Sequence, residues 1–192
     1  MLTNNHALDE KTLKNEKFIS IELNGLALKI QINDNRKIYT NKIYDITIIE
    51  IIPEKDNIFN FLELDEQIFF NTQSDLIFID SSIYLLVSVQ ASAVSYGVIS
   101  GIDKTRFMHL CSCGNGSSGG PILNLRNNKV IGIHTAGTKN QYNIGTLLKY
   151  PINEFINLHK DYINSNGVYS DNNLNKANAN NSHNINNINT IN

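Results

Sequence analysis

Long apolar segments, cysteines and an excess of charge of either sign are absent or scarce in this chain of 192 residues. No segment reaches the roughly 18 consecutive apolar residues that a membrane-spanning helix needs, so no membrane span is predicted. Sixteen basic residues stand against 18 acidic ones, which gives a net charge of -2. This near-balance gives no reason to expect nucleic acid or an acidic membrane surface as the main partner.

Only two cysteines, Cys111 and Cys113, occur in the sequence. Two residues this close make a poor structural disulfide and close no useful loop. They also fall short of the four ligands of a zinc site, so no metal or cofactor is predicted. Residues 1–6 are too polar and too short for a signal peptide. Together these features favour a reducing compartment, and hence the cytoplasm.

Short apolar stretches rich in Ile, Val, Tyr and Phe, separated by Asn, Asp, Gly and Lys, predict many short strands. The predicted strands are 17–23, 27–32, 45–52, 83–89, 93–100, 106–111, 121–125, 129–135 and 142–149. Asn127 and Asn128 predict a tight hairpin turn between two of these strands. Consecutive strands favour a sandwich or barrel over a parallel α/β sheet, and the thinly apolar stretch 54–82 suggests a linker between two β units.

The C-terminal part of the chain has a different character. One helix is predicted over 151–163, since Pro151 suits a first turn and apolar or aromatic residues then recur at helical spacing. In 164–192, 13 of the 29 residues are Asn and large apolar side chains are rare. This composition predicts a disordered tail without a catalytic role.

The densest motif is Gly114-Asn115-Gly116-Ser117-Ser118-Gly119-Gly120-Pro121. A dinucleotide-binding loop or the nucleophile elbow of an α/β-hydrolase would need a helix directly afterwards. The segment that follows, 121–125, reads instead as a short strand, and no acid near position 139 is available to bind a ribose. A phosphate-binding loop would need a lysine that is missing. These three interpretations are therefore disfavoured.

The remaining interpretations are a plain glycine-rich turn and the peptidase loop Gly-x-Ser-Gly-Gly-Pro at 116–121. Small residues let the chain turn sharply and present one hydroxyl beside a bound carbonyl. Two upstream segments favour the peptidase loop, namely Thr3-Asn4-Asn5-His6-Ala7-Leu8 and Tyr44-Asp45-Ile46-Thr47-Ile48-Ile49-Glu50-Ile51. Taken alone, His6 is a terminal histidine and Asp45 an acid that opens a strand. In the order His, Asp, Ser, these segments resemble the chymotrypsin-like (trypsin-fold) serine peptidases over about 1–163.

This resemblance implies an all-β fold of two antiparallel β-barrels. The first would span 1–75 and carry His6 and Asp45, and the second would span 76–150 and carry Ser118. The helix at 151–163 and the tail at 164–192 would follow. Family members have a pair of strands ahead of the catalytic histidine, and only five residues stand there in this sequence. The first barrel is therefore expected to be incomplete.

The resemblance also implies a chemistry, the hydrolysis of peptide bonds in a peptide or protein substrate through an acyl-enzyme. His6, Asp45 and Ser118 would form the catalytic triad, and the backbone N–H groups of Gly116 and Ser118 would form the oxyanion hole. Ser117 occupies the position where digestive members carry an aspartate. Activation by a salt bridge from a new N-terminus to that aspartate is therefore not expected.

The segment 129–137 is similar to the pocket strand of glutamyl endopeptidases and of viral-type members of the fold. There the histidine corresponding to His134 meets a Glu or Gln side chain before the scissile bond, and Thr135 and Gly137 belong to the stretch that pairs with the substrate backbone. The glutamyl enzymes carry a hydroxyl residue five positions before the serine. Here that residue is Cys113, and the neighbouring Ser112 is the candidate substitute.

Two further function classes stay open. From the short N-terminus we expect either that the protein begins further upstream or that it is a truncated, non-catalytic pseudopeptidase that at most binds peptides. A β-rich binding module whose triad is a coincidence is the third interpretation. No feature of the sequence predicts an oligomeric state.

Overall fold

The computed structural model of the chain describes residues 1–23, 25–70, 78–88, 92–138 and 142–161. The predicted tail and the last two residues of the predicted helix lie outside these ranges. The chain divides into two compact units, Met1–Phe155 and Ile156–Asn192, and all the strands belong to the first. None of the helices in the described ranges is long and apolar enough to cross a membrane.

The strands dominate the fold, as predicted. They are β1 (Leu2–Thr3), β2 (Phe18–Leu23), β3 (Leu26–Gln31), β4 (Ile38–Asn41), β5 (Ile46–Ile49), β6 (Ser82–Ser88), β7 (Ser92–Asp103), β8 (Arg106–His109), β9 (Pro121–Asn124), β10 (Lys129–Gly137) and β11 (Asn143–Leu147). The strand β1 was missed because two residues carry too little periodicity to be recognised, and β4, which is defined by its pairing with β5, was missed as well.

The N-terminal strands form two small sheets. The order β1-β5-β4 makes one antiparallel sheet, and β2 pairs with β3 as a separate hairpin. Buried Leu13, Ile30, Ile49 and Ile58 form the core that these elements share. Within the described residues these strands do not close into a ring, which agrees with the predicted incomplete first barrel.

The later strands form a closed barrel in the order β10-β11-β8-β7-β6-β9. Phe107 fills its centre and is 1% exposed. Room for this ring comes from two facing glycines, because a Cβ at Gly132 or Gly145 would lie 2.5 or 2.4 Å from it. Closure pairs every strand on both sides, so the barrel is a rigid frame for the loops between its strands. The predicted turn at Asn127 and Asn128 joins β9 to β10, with Asn128 at φ 58°.

The predicted C-terminal helix is confirmed, and three short helices that were not predicted stand before it. The C-terminal helix is present as α4 (Lys149–Leu158), but α1 (Glu10–Asn15), α2 (Pro53–Asp56) and α3 (Gln67–Phe70) precede it. Each of these three is too short for a helical apolar repeat, and α1 depends instead on a cap, since Asp9 accepts a hydrogen bond from the Thr12 N–H at 2.8 Å.

The stretch predicted to link the two β units already contacts the second barrel. Leu64 forms a bridge with Val130, and the buried Asp65 accepts hydrogen bonds from Asn124 and Asn127 at 3.1 and 3.0 Å. These contacts fasten residues 63–65 to the hairpin of β9 and β10. The predicted domain boundary near residue 75 stays a prediction.

Candidate active site

His6 lies in a turn directly after β1. The N–H groups of Ala7 and Leu8 both donate to the carbonyl of Asn4, at 3.2 and 3.1 Å, and so close the turn. The backbone N–H of His6 donates to Asp45 Oδ1 at 2.8 Å, and its ring Nδ1 lies 2.7 Å from Asp45 Oδ2. One carboxylate therefore binds His6 at two points and fixes the ring. Among the described residues, Nε2 is the ring nitrogen left available for proton transfer.

Asp45 lies at the junction between a turn and the fully buried strand β5. Its φ of 52° is in the left-handed region, which aspartate tolerates better than most residues. Its own carbonyl accepts a hydrogen bond from Asn4 Nδ2 at 3.1 Å, and its N–H donates to Lys42 at 3.3 Å. The buried Thr47 holds the opposite side of the histidine turn by donating to the Leu8 carbonyl at 2.6 Å. The two segments that carry His6 and Asp45 are thus joined by further hydrogen bonds in addition to those between His6 and Asp45 themselves.

The glycine-rich loop before β9 has the sharp turns predicted from its sequence. Gly116 and Gly119 have φ values of 87° and 80°, which side chains other than glycine rarely adopt. The buried Ser117 closes the loop internally, since its Oγ accepts from the Gly114 N–H at 3.1 Å. Gly120 is equally constrained, because a Cβ there would lie 2.7 Å from the carbonyl of Leu86. The loop is therefore specified by steric fit as well as by turn chemistry.

Strand β10 holds this loop in register. The Gly119 N–H donates to the His134 carbonyl at 2.9 Å, and the His134 N–H donates back to the Gly120 carbonyl at 2.8 Å. Ser118 is exposed, and its Oγ donates to the Thr135 carbonyl at 3.4 Å. Within the described residues no hydrogen bond joins Ser118 to His6. The hydroxyl is presented at the surface of the loop but is turned toward β10.

The serine loop nevertheless lies beside the segment that carries the histidine. A Cβ built on Gly119, the residue after Ser118, would lie 3.5 Å from Thr3 Oγ1 and 3.8 Å from Asn4 Oδ1. Thr3 and Asn4 lead directly into His6. The fold therefore brings the predicted catalytic residues into one region, although they come from opposite halves of the chain.

The two predicted oxyanion donors have no backbone acceptor among the described residues, as the N–H groups of Gly116 and Ser118 form none of the backbone hydrogen bonds there. A cavity of about 520 Å3 opens beside them. Its walls come from Leu86 and Val87 at the end of β6, Ala93 and Val94 at the start of β7, and residues 116–121 of the loop.

The predicted substrate-binding residues lie on two neighbouring segments. Ser112 and the half-buried Cys113 follow β8, and Ser112 is exposed. Thr135 and Gly137 lie on β10, where the pairing with β11 shifts between His134 and Ala136. Thr135 is buried and Gly137 is exposed. Because β9 pairs with β10 only up to Ile133, that edge of β10 has no strand partner beyond it among the described residues.

His134 is paired with a second histidine that the sequence analysis missed. Its Nδ1 lies 3.2 Å from Nε2 of His109 on β8, and both side chains are buried. Nδ1 of His109 is buried with no hydrogen-bond partner in the described part of the chain. The alternation along β8, which points Phe107 and His109 to the same inward side, was the available signal.

Burial controls the charge of this histidine pair. Loss of hydration, with a smaller contribution from His134, lowers the pKa of His109 to about 4. Burial also lowers the pKa of His134. Since protonation is disfavoured at both rings, the pair is neutral at neutral pH.

The two cysteines are unsuited to nucleophilic catalysis. Both are free thiols, and burial raises the pKa of Cys111 to about 11. Burial also raises the pKa of Cys113. The thiolate is the reactive form, so both thiols are held in the unreactive state. The described residues contain no cluster of three or more metal-ligating side chains.

Comparison with known proteins gives a consistent result. The family model of the trypsin-like peptidase domain matches residues 1–133. The fold is similar to that of the serine endoprotease from Yersinia pestis, with a TM-score of 0.58 and 14% identity over 81% of this chain and 53% of that one. It is also similar to catalytically active tobacco etch virus protease complexed with product, with a TM-score of 0.51 and 18% identity over 76% of this chain and 61% of that one.

The chain thus spans little more than half the length of either structure. No curated protein matches the sequence. The family match nonetheless covers well over half of the 192 residues and includes all three predicted catalytic positions. Together with the closed six-strand barrel, it establishes that this chain belongs to the trypsin-like peptidase domain family and has a chymotrypsin-like fold.

Proposed function

We propose that this domain is a serine endopeptidase with His6, Asp45 and Ser118 as its catalytic triad. The observation that carries the proposal is the grip of the Asp45 carboxylate on both the backbone N–H and the ring Nδ1 of His6, at 2.8 and 2.7 Å. This arrangement selects the tautomer in which Nδ1 carries the proton and Nε2 can accept one.

The reaction would proceed in two stages. Ser118 Oγ leaves its hydrogen bond to the Thr135 carbonyl, transfers its proton to His6 Nε2 and attacks the substrate carbonyl carbon. The N–H groups of Gly116 and Ser118 stabilise the resulting oxyanion, and His6 then protonates the leaving amine. A water molecule, deprotonated by His6, hydrolyses the acyl-enzyme and returns Ser118 to its starting state. Asp45 stabilises the imidazolium throughout.

The direct test is labelling of the purified chain with a fluorophosphonate probe. We expect labelling of the native chain and none of a Ser118→Ala variant, because only an activated hydroxyl attacks the phosphorus. Ser100→Ala, which removes an exposed hydroxyl from β7, is the matched control and should label normally. A folded native chain that is not labelled would contradict the proposal.

One observation favours a second candidate, a non-catalytic domain that binds peptides. Ser118 Oγ is hydrogen-bonded to the Thr135 carbonyl, and within the described residues it does not reach His6. If this arrangement persists in solution, the serine is not activated. Peptide binding by a folded chain that neither labels nor cleaves would support this candidate.

We further propose that the peptidase selects Gln or Glu before the scissile bond through His134. When both histidines are neutral, the hydrogen bond between His109 Nε2 and His134 Nδ1 can have either nitrogen as its donor. If His134 donated to His109, then Nδ1–H of His109 would be a buried donor without an acceptor, which is the costlier defect. The favoured tautomer has His109 Nε2–H donating to His134 Nδ1, so that Nε2–H of His134 is free to donate to a substrate oxygen.

This proposal predicts a substrate preference. Peptides with Gln or Glu should have a kcat/KM at least about 100-fold above those with Met, which has nearly the same shape as Gln but accepts no strong hydrogen bond. A His134→Leu variant, normalised by fluorophosphonate titration, should lose most of this ratio while still cleaving the Met peptide. Preferred cleavage after Arg or Phe would contradict the assignment.

A further inference from the structure

We infer that Glu154 on α4 is a positioning residue for the catalytic aspartate. This inference rests on the proposed function, since it assigns to Glu154 the task of holding the turn that presents Asp45 to His6. Glu154 and Asp45 are not in direct contact, and the connection runs through the residues of that turn.

The carboxylate of Glu154 binds three side chains from β4 and the turn after it. Its Oε1 accepts a hydrogen bond from Tyr44, the residue before Asp45, at 2.6 Å. Its Oε2 accepts from Tyr39 at 2.5 Å and from Asn41 at 3.3 Å. A single side chain from the C-terminal helix therefore ties both ends of the segment 39–44.

Asn41 passes this anchoring on to the backbone of the turn. Its Nδ2 donates to the hydroxyl of Tyr39 at 3.0 Å as well as to Glu154. Its Oδ1 accepts the N–H groups of Ile43 and Tyr44 at 2.8 and 3.1 Å. The orientation of the Asn41 amide, and with it the path of the chain up to Tyr44, thus depends on acceptors that Glu154 supplies.

The barrel holds the same turn from a different side. Thr146 on β11 donates to the carbonyl of Tyr44 at 2.8 Å, and Arg106 on β8 donates to the carbonyl of Ile43 at 3.0 Å. The hydroxyl of Thr146 is also 3.1 Å from that of Thr135, the residue whose carbonyl receives Ser118. The turn before Asp45 is therefore fixed in two ways. The side chain of Tyr44 is bound by Glu154, and the backbone carbonyls of the turn are bound by side chains of the barrel.

Asp45 needs such support because its backbone is in the left-handed region, at φ 52°. Such a conformation persists when the surrounding structure determines it. The two hydrogen bonds to His6 demand that the carboxylate keep its exact direction, since a shift of about 1 Å can cost about 100-fold in rate. The ionisation of Glu154 favours the arrangement as well. The hydrogen bonds from Tyr39 and Tyr44 lower the pKa of Glu154, so its carboxylate stays ionised and remains an acceptor.

Removing the anchor should lower kcat and leave KM nearly unchanged, since Glu154 touches none of the proposed substrate-binding residues. We expect Glu154→Ala to reduce kcat per active site about 100-fold, and Glu154→Gln, which keeps one acceptor oxygen, to reduce it about tenfold. The concentration of active sites is measured by fluorophosphonate titration. Unfolded molecules are then not counted, and a loss of folded protein does not lower the kcat per active site. Glu10→Gln, at an exposed helix position paired with Lys14, is the matched control and should match the native chain.

A second measurement does not depend on activity. The proton between His6 Nδ1 and Asp45 should give a low-field proton NMR signal, assigned by its loss in Asp45→Asn. We expect Glu154→Ala to shift or broaden this signal and Glu10→Gln to leave it unchanged. If Glu154→Ala does not fold, Tyr44→Phe removes a single hydroxyl from the same link and should produce the same change in smaller measure.

The outcomes separate the two proposals. An unchanged kcat per site together with an unchanged low-field signal in Glu154→Ala would overturn the positioning role. A native chain that neither labels nor cleaves would overturn the proposed function. In that case a signal that still changes in Glu154→Ala and not in the control would support the positioning of Asp45 on its own.

Discussion

Replacing Asp45 by Asn is expected to lower kcat about 10^4-fold. The backbone N–H of His6 donates to Oδ1 of Asp45, and this donor would orient the new amide. Its oxygen must face the backbone N–H, which turns its NH2 group toward Nδ1 of the ring. A donor at that position forces the proton of His6 onto Nε2, which can then no longer accept the proton of Ser118.

Asparagine is the informative substitution because it is among the residues with a side chain that best tolerate the left-handed backbone of Asp45. Loss of the turn would therefore not obscure the effect on the tautomer. Asp9→Asn is the matched control, since asparagine caps a helix about as well as aspartate does at the start of α1. Steady-state hydrolysis, normalised to folded protein, measures the effect. A loss smaller than about tenfold would mean that Asp45 does not set the tautomer of His6.

The second large effect concerns stability. Replacing Asp56 by Ala is expected to lower the free energy of unfolding by roughly 3–5 kcal/mol. Arg36 and Asp56 form a two-bond ion pair at 2.7 and 2.9 Å, with side chains only 3% and 2% exposed. Removing the carboxylate would leave a guanidinium buried without its counterion, and the Ile52 N–H would lose its acceptor at 2.7 Å.

The ionisation of Asp56 agrees with this role. Burial by itself raises its pKa, but the hydrogen bonds from Arg36 and from Ile52 outweigh that effect and hold the pKa below its usual value of 3.8. The stabilisation is therefore fully present above the ordinary carboxyl pKa and is lost as the pH falls below it through the folded value.

Urea denaturation at neutral pH measures the loss of stability, with Asp34→Ala as the control for an exposed aspartate. The double variant Arg36→Met/Asp56→Ala should be more stable than Asp56→Ala alone, because it no longer buries an unpaired charge. If the double variant is the less stable of the two, the unpaired charge is not what destabilises the single one. Neither variant should change kcat per labelled site.

Much of the fold could be predicted from local patterns. Strand β8 shows the alternation expected of a strand with one buried face, since Phe107 and His109 are buried and Met108 is not. The elements that were missed are β1, β4 and the three short helices, and some of these are defined by a cap such as Asp9 or by pairing with a distant strand such as β5. These contacts leave no periodic signal in so short a segment.

The candidate site divides in the same way. By itself, the sequence determined the turns of the loop around Ser118, because the positive φ values of Gly116 and Gly119 and the bond from the Gly114 N–H to Ser117 are requirements that act within a few residues. It also determined the order His6, Asp45, Ser118 that led to the family. Only the tertiary structure decided the two-point grip of Asp45 on His6, the pairing of His109 with His134 and the anchor at Glu154. These contacts join residues 39, 25 and 110 or more positions apart, and side chains so far apart in the chain meet only where the packing of the strands brings them together.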